Sequence, residues 1–150
     1  MLREDIQNAL KEAMKSKNML EVNAIRMIIA GQKEKDVDAR GKGKQQAEDA
    51  DLLAMMQTMI KQRRESIDMF IKGGRAELAE KEEAEIKIIE RFLPKQLSGD
   101  EMKAAIEAVI KETGAESVKD MGKVMGALRA KYAGQMDFAA ASTVIKSLLA

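Results

Sequence analysis

Pro94 is the only proline among the 150 residues, and it separates stretches whose apolar residues recur at helical spacing. Because proline disfavours helical geometry at the residue before it, a helix has to end by Leu93. Only 3% of the residues are aromatic and 34% are charged, which suits packed helices better than a sandwich or barrel. The chain is therefore predicted to be all-α, with a helical N-terminal domain over residues 1–94 and a small tail domain over residues 95–150.

The N-terminal domain is predicted to contain about four helices. The first is amphipathic from Leu2 and ends near residues 16–18, and the second is apolar all round over residues 22–30, as in a helix surrounded by others. Residues 33–48 lack apolar periodicity and are predicted to form an exposed, mobile loop or a frayed helix end. A third helix over residues 50–72 and a fourth that ends before Pro94 form a long helical hairpin around two glycines.

The tail domain is predicted to contain three helices, because capping residues divide it. Ser98 and Glu101 have the spacing of a capping box at the start of the first helix, and Gly114 follows its end. Asp120, or Ser117 before it, can cap the second helix, and Asp137 can cap the third.

The composition excludes much catalytic chemistry. The chain has no cysteine and no histidine, so it lacks disulfides, the usual zinc ligands, thiol nucleophiles and histidine acid–base catalysts. Residues 36–47 match a calcium loop poorly, and no glycine-rich nucleotide-binding motif occurs. We therefore predict no catalytic residues, no metal and no cofactor. No long apolar run is present, so neither a signal peptide nor a membrane span is expected, and the expected location is the cytoplasm.

Four charged residues fall among apolar residues on the helical wheels of the N-terminal domain: Arg26, Arg63, Glu82 and Glu85. Burying an unpaired charge costs several kcal/mol, so these residues are predicted to form a structural ion network across helices two, three and four. The alternative is a pocket for an anionic ligand, lined by the two arginines.

The last thirty residues carry a basic surplus, with Lys123, Arg129, Lys131 and Lys146 against a single acidic residue. Such a surplus suits a phosphate backbone or a solvated helix face. Gly122 and Gly126 remove side chains from one strip of the same helix. Tight helix packing is the commoner cause of such a strip, and an RNA backbone lying against it is the other interpretation.

Several segments resemble the YqeY family, and the resemblance spans nearly the whole chain. They are residues 25–27 (IRM), 61–66 (KQRRES), 74–86 (GRAELAEKEEAEI), 93–98 (LPKQLS) and 120–125 (DMGKVM). The family's C-terminal module is similar to the tail of the GatB subunit of tRNA-dependent amidotransferase, a tail that contacts tRNA. The chain departs from this tail at Gly126 and Gln135, where basic residues are usual, and both departures remove charge.

The resemblance implies an all-helical N-terminal domain and a tRNA-binding-like tail. We expect a non-catalytic accessory protein that binds tRNA or another structured RNA through Lys123, Arg129, Lys131, Lys146 and the strip at Gly122 and Gly126. The family label of carbon–nitrogen ligase with glutamine as amido donor leaves a second possibility, a component that works with an amidotransferase or another protein of tRNA metabolism. A third is a protein-interaction adaptor that uses the N-terminal helices.

Overall fold

The computed structural model describes residues 1–150 and contains seven α-helices and no strand, which confirms the all-α prediction. The helices are α1 (Leu2–Lys15), α2 (Met19–Gly41), α3 (Asp49–Lys72), α4 (Ala76–Glu90), α5 (Gly99–Thr113), α6 (Met121–Tyr132) and α7 (Phe138–Leu149), with a 3-10 turn at Val118–Asp120 before α6. None of them combines the length and apolar character that crossing a membrane requires. The contacts divide the chain into two compact units, Met1–Leu93 and Pro94–Ala150.

In the first unit, α4 packs against both α2 and α3, and α1 packs against α2. The connection between α3 and α4 is short because Gly74 adopts a positive φ of 74°, which residues with a side chain rarely adopt. Ile6, Ile25, Ile28, Met56 and Ile89 are fully buried and form the centre of this core. Burial of one such side chain stabilises the fold by about 1.5–3 kcal/mol, so these apolar faces hold the four helices together.

The prediction of a loop over residues 33–48 is wrong for residues 33–41, because α2 continues to Gly41. Two hydrogen bonds join the guanidinium of Arg3 in α1 to the Asp36 carboxylate in α2, at 2.6 and 2.9 Å. The same carboxylate accepts the backbone N–H of Ala47 at 2.9 Å, and Arg3 donates to the Ala47 carbonyl at 2.7 Å. These contacts fix the α2–α3 connection to α1. Ala39, Ala47 and Leu52 form a small buried cluster beneath them.

The Arg3 guanidinium lowers the pKa of Asp36 from 3.8 to about 2 by hydrogen bonding, and the Ala47 amide adds to the effect. The ionised carboxylate is therefore favoured in the folded state. This ion pair is one that a sequence pattern does not reveal, because its two residues lie 33 positions apart.

The second unit is a three-helix fold around Ile106, Val124, Leu128, Ala141 and Ile145, all of which are fully buried. Its first and third helices begin at the predicted caps, whereas the Asp120 side chain forms no cap on α6. The Ser98 hydroxyl accepts the Glu101 N–H at 3.2 Å, the Glu101 carboxylate accepts the Ser98 N–H at 3.2 Å, and Asp137 accepts the Ala139 N–H at 2.9 Å. The segment after Pro94 belongs to this unit, since the Leu97 N–H donates to the Gln135 carbonyl at 2.8 Å.

Candidate nucleic-acid interface and a buried ion-pair cluster

Arg63 is the only charged residue in the core, at 7% exposure, and its guanidinium links three helices. Its Nε lies 2.9 Å from a carboxylate oxygen of Glu85 and 3.8 Å from one of Glu82, both on α4. Its Nη1 donates to the Met59 carbonyl at 3.2 Å, and its Nη2 donates to the Met27 sulphur on α2 at 3.3 Å. The structure thus brings three of the four predicted network residues together.

Arg26 is a correction to the predicted network. It is exposed on α2 and forms no ion pair with Glu82 or Glu85. Of the apolar residues around it on the helical wheel only Val22 is buried, because Ala30 is itself exposed and Ile29 is only partly buried. Arg63 alone therefore pairs with the carboxylates of Glu82 and Glu85, and this cluster has a formal excess of one negative charge.

A groove with a volume of about 630 Å³ runs between α2 and α3, and Arg63 lies at one end of it. Small and flexible apolar residues line much of the groove, and charged residues such as Glu34, Asp38 and Lys42 line the rest. Arg26 is not among the lining residues. The alternative of an anion pocket lined by both arginines is therefore wrong, because only Arg63 lines the groove. The excess carboxylate charge beside Arg63 also disfavours binding of an anion.

The glycine strip of α6 faces open space. No atom from elsewhere in the fold lies within 4 Å of the position that a Cβ would occupy at Gly122 or Gly126. The interpretation that another helix packs tightly against these glycines is therefore wrong. Each glycine in the middle of a helix costs roughly 1 kcal/mol relative to alanine, and no contact in the fold offsets that cost.

Lys123 and Arg129 stand on either side of this strip. They are three residues before and three residues after Gly126, so a rotation of 100° per residue places them about 60° to its two sides. Both are exposed. The Arg129 guanidinium lies 5.8 Å from the centre of the Phe138 ring, a cation–π contact that orients it. The two cations and the two glycines therefore share one exposed face.

Lys131 and Lys146 are placed differently from the other two cations. Lys131 is five residues after Gly126, about 140° away around the helix, and its Nζ lies 2.5 Å from a carboxylate oxygen of Glu112 on α5. This hydrogen bond raises the pKa of Lys131 and balances its charge. Lys146 is exposed near the end of α7 and has no ion-pair partner within 4 Å. The predicted set of four cations thus divides into three unpaired cations and one paired cation.

The acidic residues offer no alternative site. No group of three or more Asp or Glu side chains is arranged to hold a metal ion. The carbonyls of Gly134 and Gln135, at the turn before α7, accept hydrogen bonds from Gln96 and Leu97 and so position the segment after Pro94. The strip on α6 with its flanking cations is therefore the exposed feature of the tail that best fits a polyanion.

Similarity to known proteins extends over both units. The chain is 38% identical to the "Altered inheritance of mitochondria protein 41, mitochondrial" of Lachancea thermotolerans over 89 residues, covering 59% of this chain and 46% of the relative. It is 33% identical to the protein of that name from Eremothecium gossypii over 105 residues, covering 69% of this chain and 56% of the relative. The chain thus spans about half the length of the curated relatives it matches.

These relatives correct the expected location. Their names describe them as mitochondrial proteins, and this overturns the cytoplasmic location expected from the sequence.

A family model provides the broadest match. It is the model described as Yqey-like protein, and it matches residues 3–149, which include all seven helices almost completely. The helical architecture and this match agree with the resemblance carried by the segments around Arg63, Pro94 and Gly122. The chain belongs to the Yqey-like protein family.

Proposed function

We propose that this protein is a non-catalytic accessory protein that binds tRNA or another structured RNA through the exposed face of α6. The observation that carries the proposal is the open strip at Gly122 and Gly126, flanked by the exposed cations Lys123 and Arg129. A strip without side chains lets a sugar–phosphate backbone approach the helix closely, and the flanking cations supply charge for its phosphates.

Not all of the predicted cations contribute equally to this interface. Lys123 and Arg129 share the face of the strip, and Lys146 is unpaired on the neighbouring helix α7. Lys131 points elsewhere and is paired with Glu112, so binding RNA through Lys131 would first require breaking that ion pair. We therefore assign the phosphate contacts to the three unpaired cations. Such contacts position a nucleic acid without reading its bases.

Titration of the full-length protein with labelled total tRNA over a salt series tests this proposal, with duplex DNA as the competitor. The logarithm of the affinity should fall with the logarithm of salt concentration by roughly 0.7–0.9 per phosphate contact. Reversing the charge of Lys123 and Arg129 together should weaken binding and flatten this dependence. Reversing Lys103 and Lys111, two exposed lysines of α5, changes the net charge equally and serves as the matched control.

The outcomes of this titration distinguish an RNA-binding protein from an adaptor and from a component linked to an amidotransferase. Salt-sensitive tRNA binding that depends on the α6 pair supports the RNA-binding proposal. Equal losses in the α6 and α5 variants indicate non-specific attraction and contradict an interface on α6. No binding even at low salt rules out the proposal and leaves the adaptor function, whereas copurification of an amidase supports a component linked to amidotransferase activity.

A further inference from the structure

Met27 combines a half-exposed side chain with a contact to a buried cation, and this pairing is independent of the tail. The residue is 49% exposed and lines the groove between α2 and α3. Its sulphur accepts a hydrogen bond from Nη2 of Arg63 at 3.3 Å, although a thioether is a weak acceptor. A charged, buried donor is thus directed at one of the poorest acceptors among the side chains.

We propose that Met27 is a site of oxidation by peroxide, and that Arg63 binds the resulting methionine sulfoxide. The Met27 sulphur attacks one oxygen of a peroxide such as hydrogen peroxide. The S–O bond forms as the O–O bond breaks, and the transferred oxygen gives its proton to the departing hydroxide, which leaves as water. The sulphur loses two electrons and the peroxide gains them.

The geometry allows Arg63 to hold the product without losing its partners. Nε is the nitrogen that pairs with Glu85, and Nη1 donates to the Met59 carbonyl, so Nη2 is available for the new oxygen. The 3.3 Å between the sulphur and Nη2 leaves no room for an oxygen between them, so the flexible Met27 side chain has to rotate for the sulfoxide oxygen to take the place of the sulphur as acceptor. A sulfoxide is polar and accepts hydrogen bonds strongly, and its bond to a guanidinium is charge-assisted. Oxidation would therefore strengthen the contact between α2 and α3 at the end of the groove.

Other methionines provide a contrast. Met14 and Met69 are 52% and 73% exposed, and the structure gives neither sulphur a hydrogen-bond donor. Met55 lines the same groove but is only 8% exposed. Oxidation of Met14 or Met69 should leave the fold unchanged, because nothing binds the new oxygen. The proposal thus concerns a single position among the twelve methionines.

The test uses two full-length proteins that differ only at Met27. Both carry leucine in place of Met14, Met19 and Met69, and the control also carries Met27→Leu. Each is treated with hydrogen peroxide, the oxidised methionines are identified by peptide mass spectrometry, and urea unfolding is followed by circular dichroism. In the protein with Met27, oxidation should raise the ratio of folded to unfolded chains by about tenfold relative to the control, the lower end of the range for one hydrogen bond to a charged group.

Two further measurements assign the effect to Arg63. The side-chain N–H resonances of Arg63 should move when Met27 is oxidised, and this requires no substitution at the arginine. Arg63→Lys keeps the charge but lacks the branched guanidinium, so it should abolish the gain. The proposal is overturned if Met27 takes up no oxygen while Met1, which both proteins retain and which is 89% exposed, does. It is also overturned if the stability gain is below about twofold, if Arg63→Lys retains the full gain, or if the Arg63 resonances do not move.

Discussion

Replacing Arg63 by alanine should destabilise the protein by about 3 kcal/mol, and the neighbouring Arg64 provides a matched control. The Arg63 side chain is 8% exposed and those of Glu85 and Glu82 are 13% and 25% exposed, so its removal leaves two half-buried carboxylates without their cation. Water in the adjacent groove can reach part of this cluster, which places the expected loss at the lower end of the 3–5 kcal/mol typical of a broken buried pair. Arg64 also pairs with α4, at 3.4 Å from Glu90, but both side chains are largely exposed. Arg64→Ala should therefore cost no more than about 1 kcal/mol.

Urea unfolding followed by circular dichroism measures both losses. Tyr132 is the only tyrosine, the chain has no tryptophan, and this residue lies in the second unit. Its fluorescence therefore reports on the second unit, while hydrogen exchange of α3 and α4 peptides reports on the first. The exchange of those peptides should accelerate in Arg63→Ala much more than in Arg64→Ala. Equal losses for the two variants would refute the reasoning that burial makes the Arg63 cluster important for stability.

Three other outcomes can be measured on the same protein. The folded-state pKa of Asp36 is lowered to about 2, so its ion pair with Arg3 stabilises the fold above about pH 4 and is lost as the pH falls from 4 toward 2. Asp36→Asn should therefore cost about 1–2 kcal/mol of stability at neutral pH. In urea titrations the variant should also lack this part of the acid sensitivity. Gly126→Ala should stabilise the protein by roughly 0.5–1 kcal/mol while weakening tRNA binding, and a loss of stability would show that the strip is not open. The pure protein should release no ammonia from glutamine, since it has no cysteine, no histidine and no recognisable arrangement of an amidase nucleophile, and ammonia release that a single substitution abolishes would contradict this.

The sequence predicted those parts of the fold that local chemistry determines. Pro94 marks the end of the hairpin region, and the Ser98 capping box and the Asp137 cap begin α5 and α7 as expected. These signals act over three or four residues, because they satisfy backbone N–H groups at a helix end. Predictions of this kind require no knowledge of which helices are neighbours.

Predictions that depended on neighbouring helices succeeded less often. The helical wheel placed both Arg26 and Arg63 among apolar residues, yet only Arg63 faces α4. Residues 33–41 looked like a loop because they lack apolar periodicity, whereas Asp36 is held in α2 by Arg3 from another helix. The wheel also could not show that the strip at Gly122 is open, since a missing side chain fits equally well beneath a packed helix.

The two sets of basic residues have different roles, and measuring both stability and tRNA affinity for variants of each set separates those roles. Arg63 is buried beside two carboxylates, so its charge is already balanced and it cannot approach a phosphate. Lys123 and Arg129 are exposed and have no carboxylate partner within 4 Å, so their removal strands no buried charge. Arg63→Ala should therefore lower stability while the folded protein keeps its tRNA affinity. Charge reversal at Lys123 and Arg129 should lower affinity at nearly constant stability, and a variant of either kind that changed both properties equally would show that the stability cluster and the proposed RNA interface are not separate.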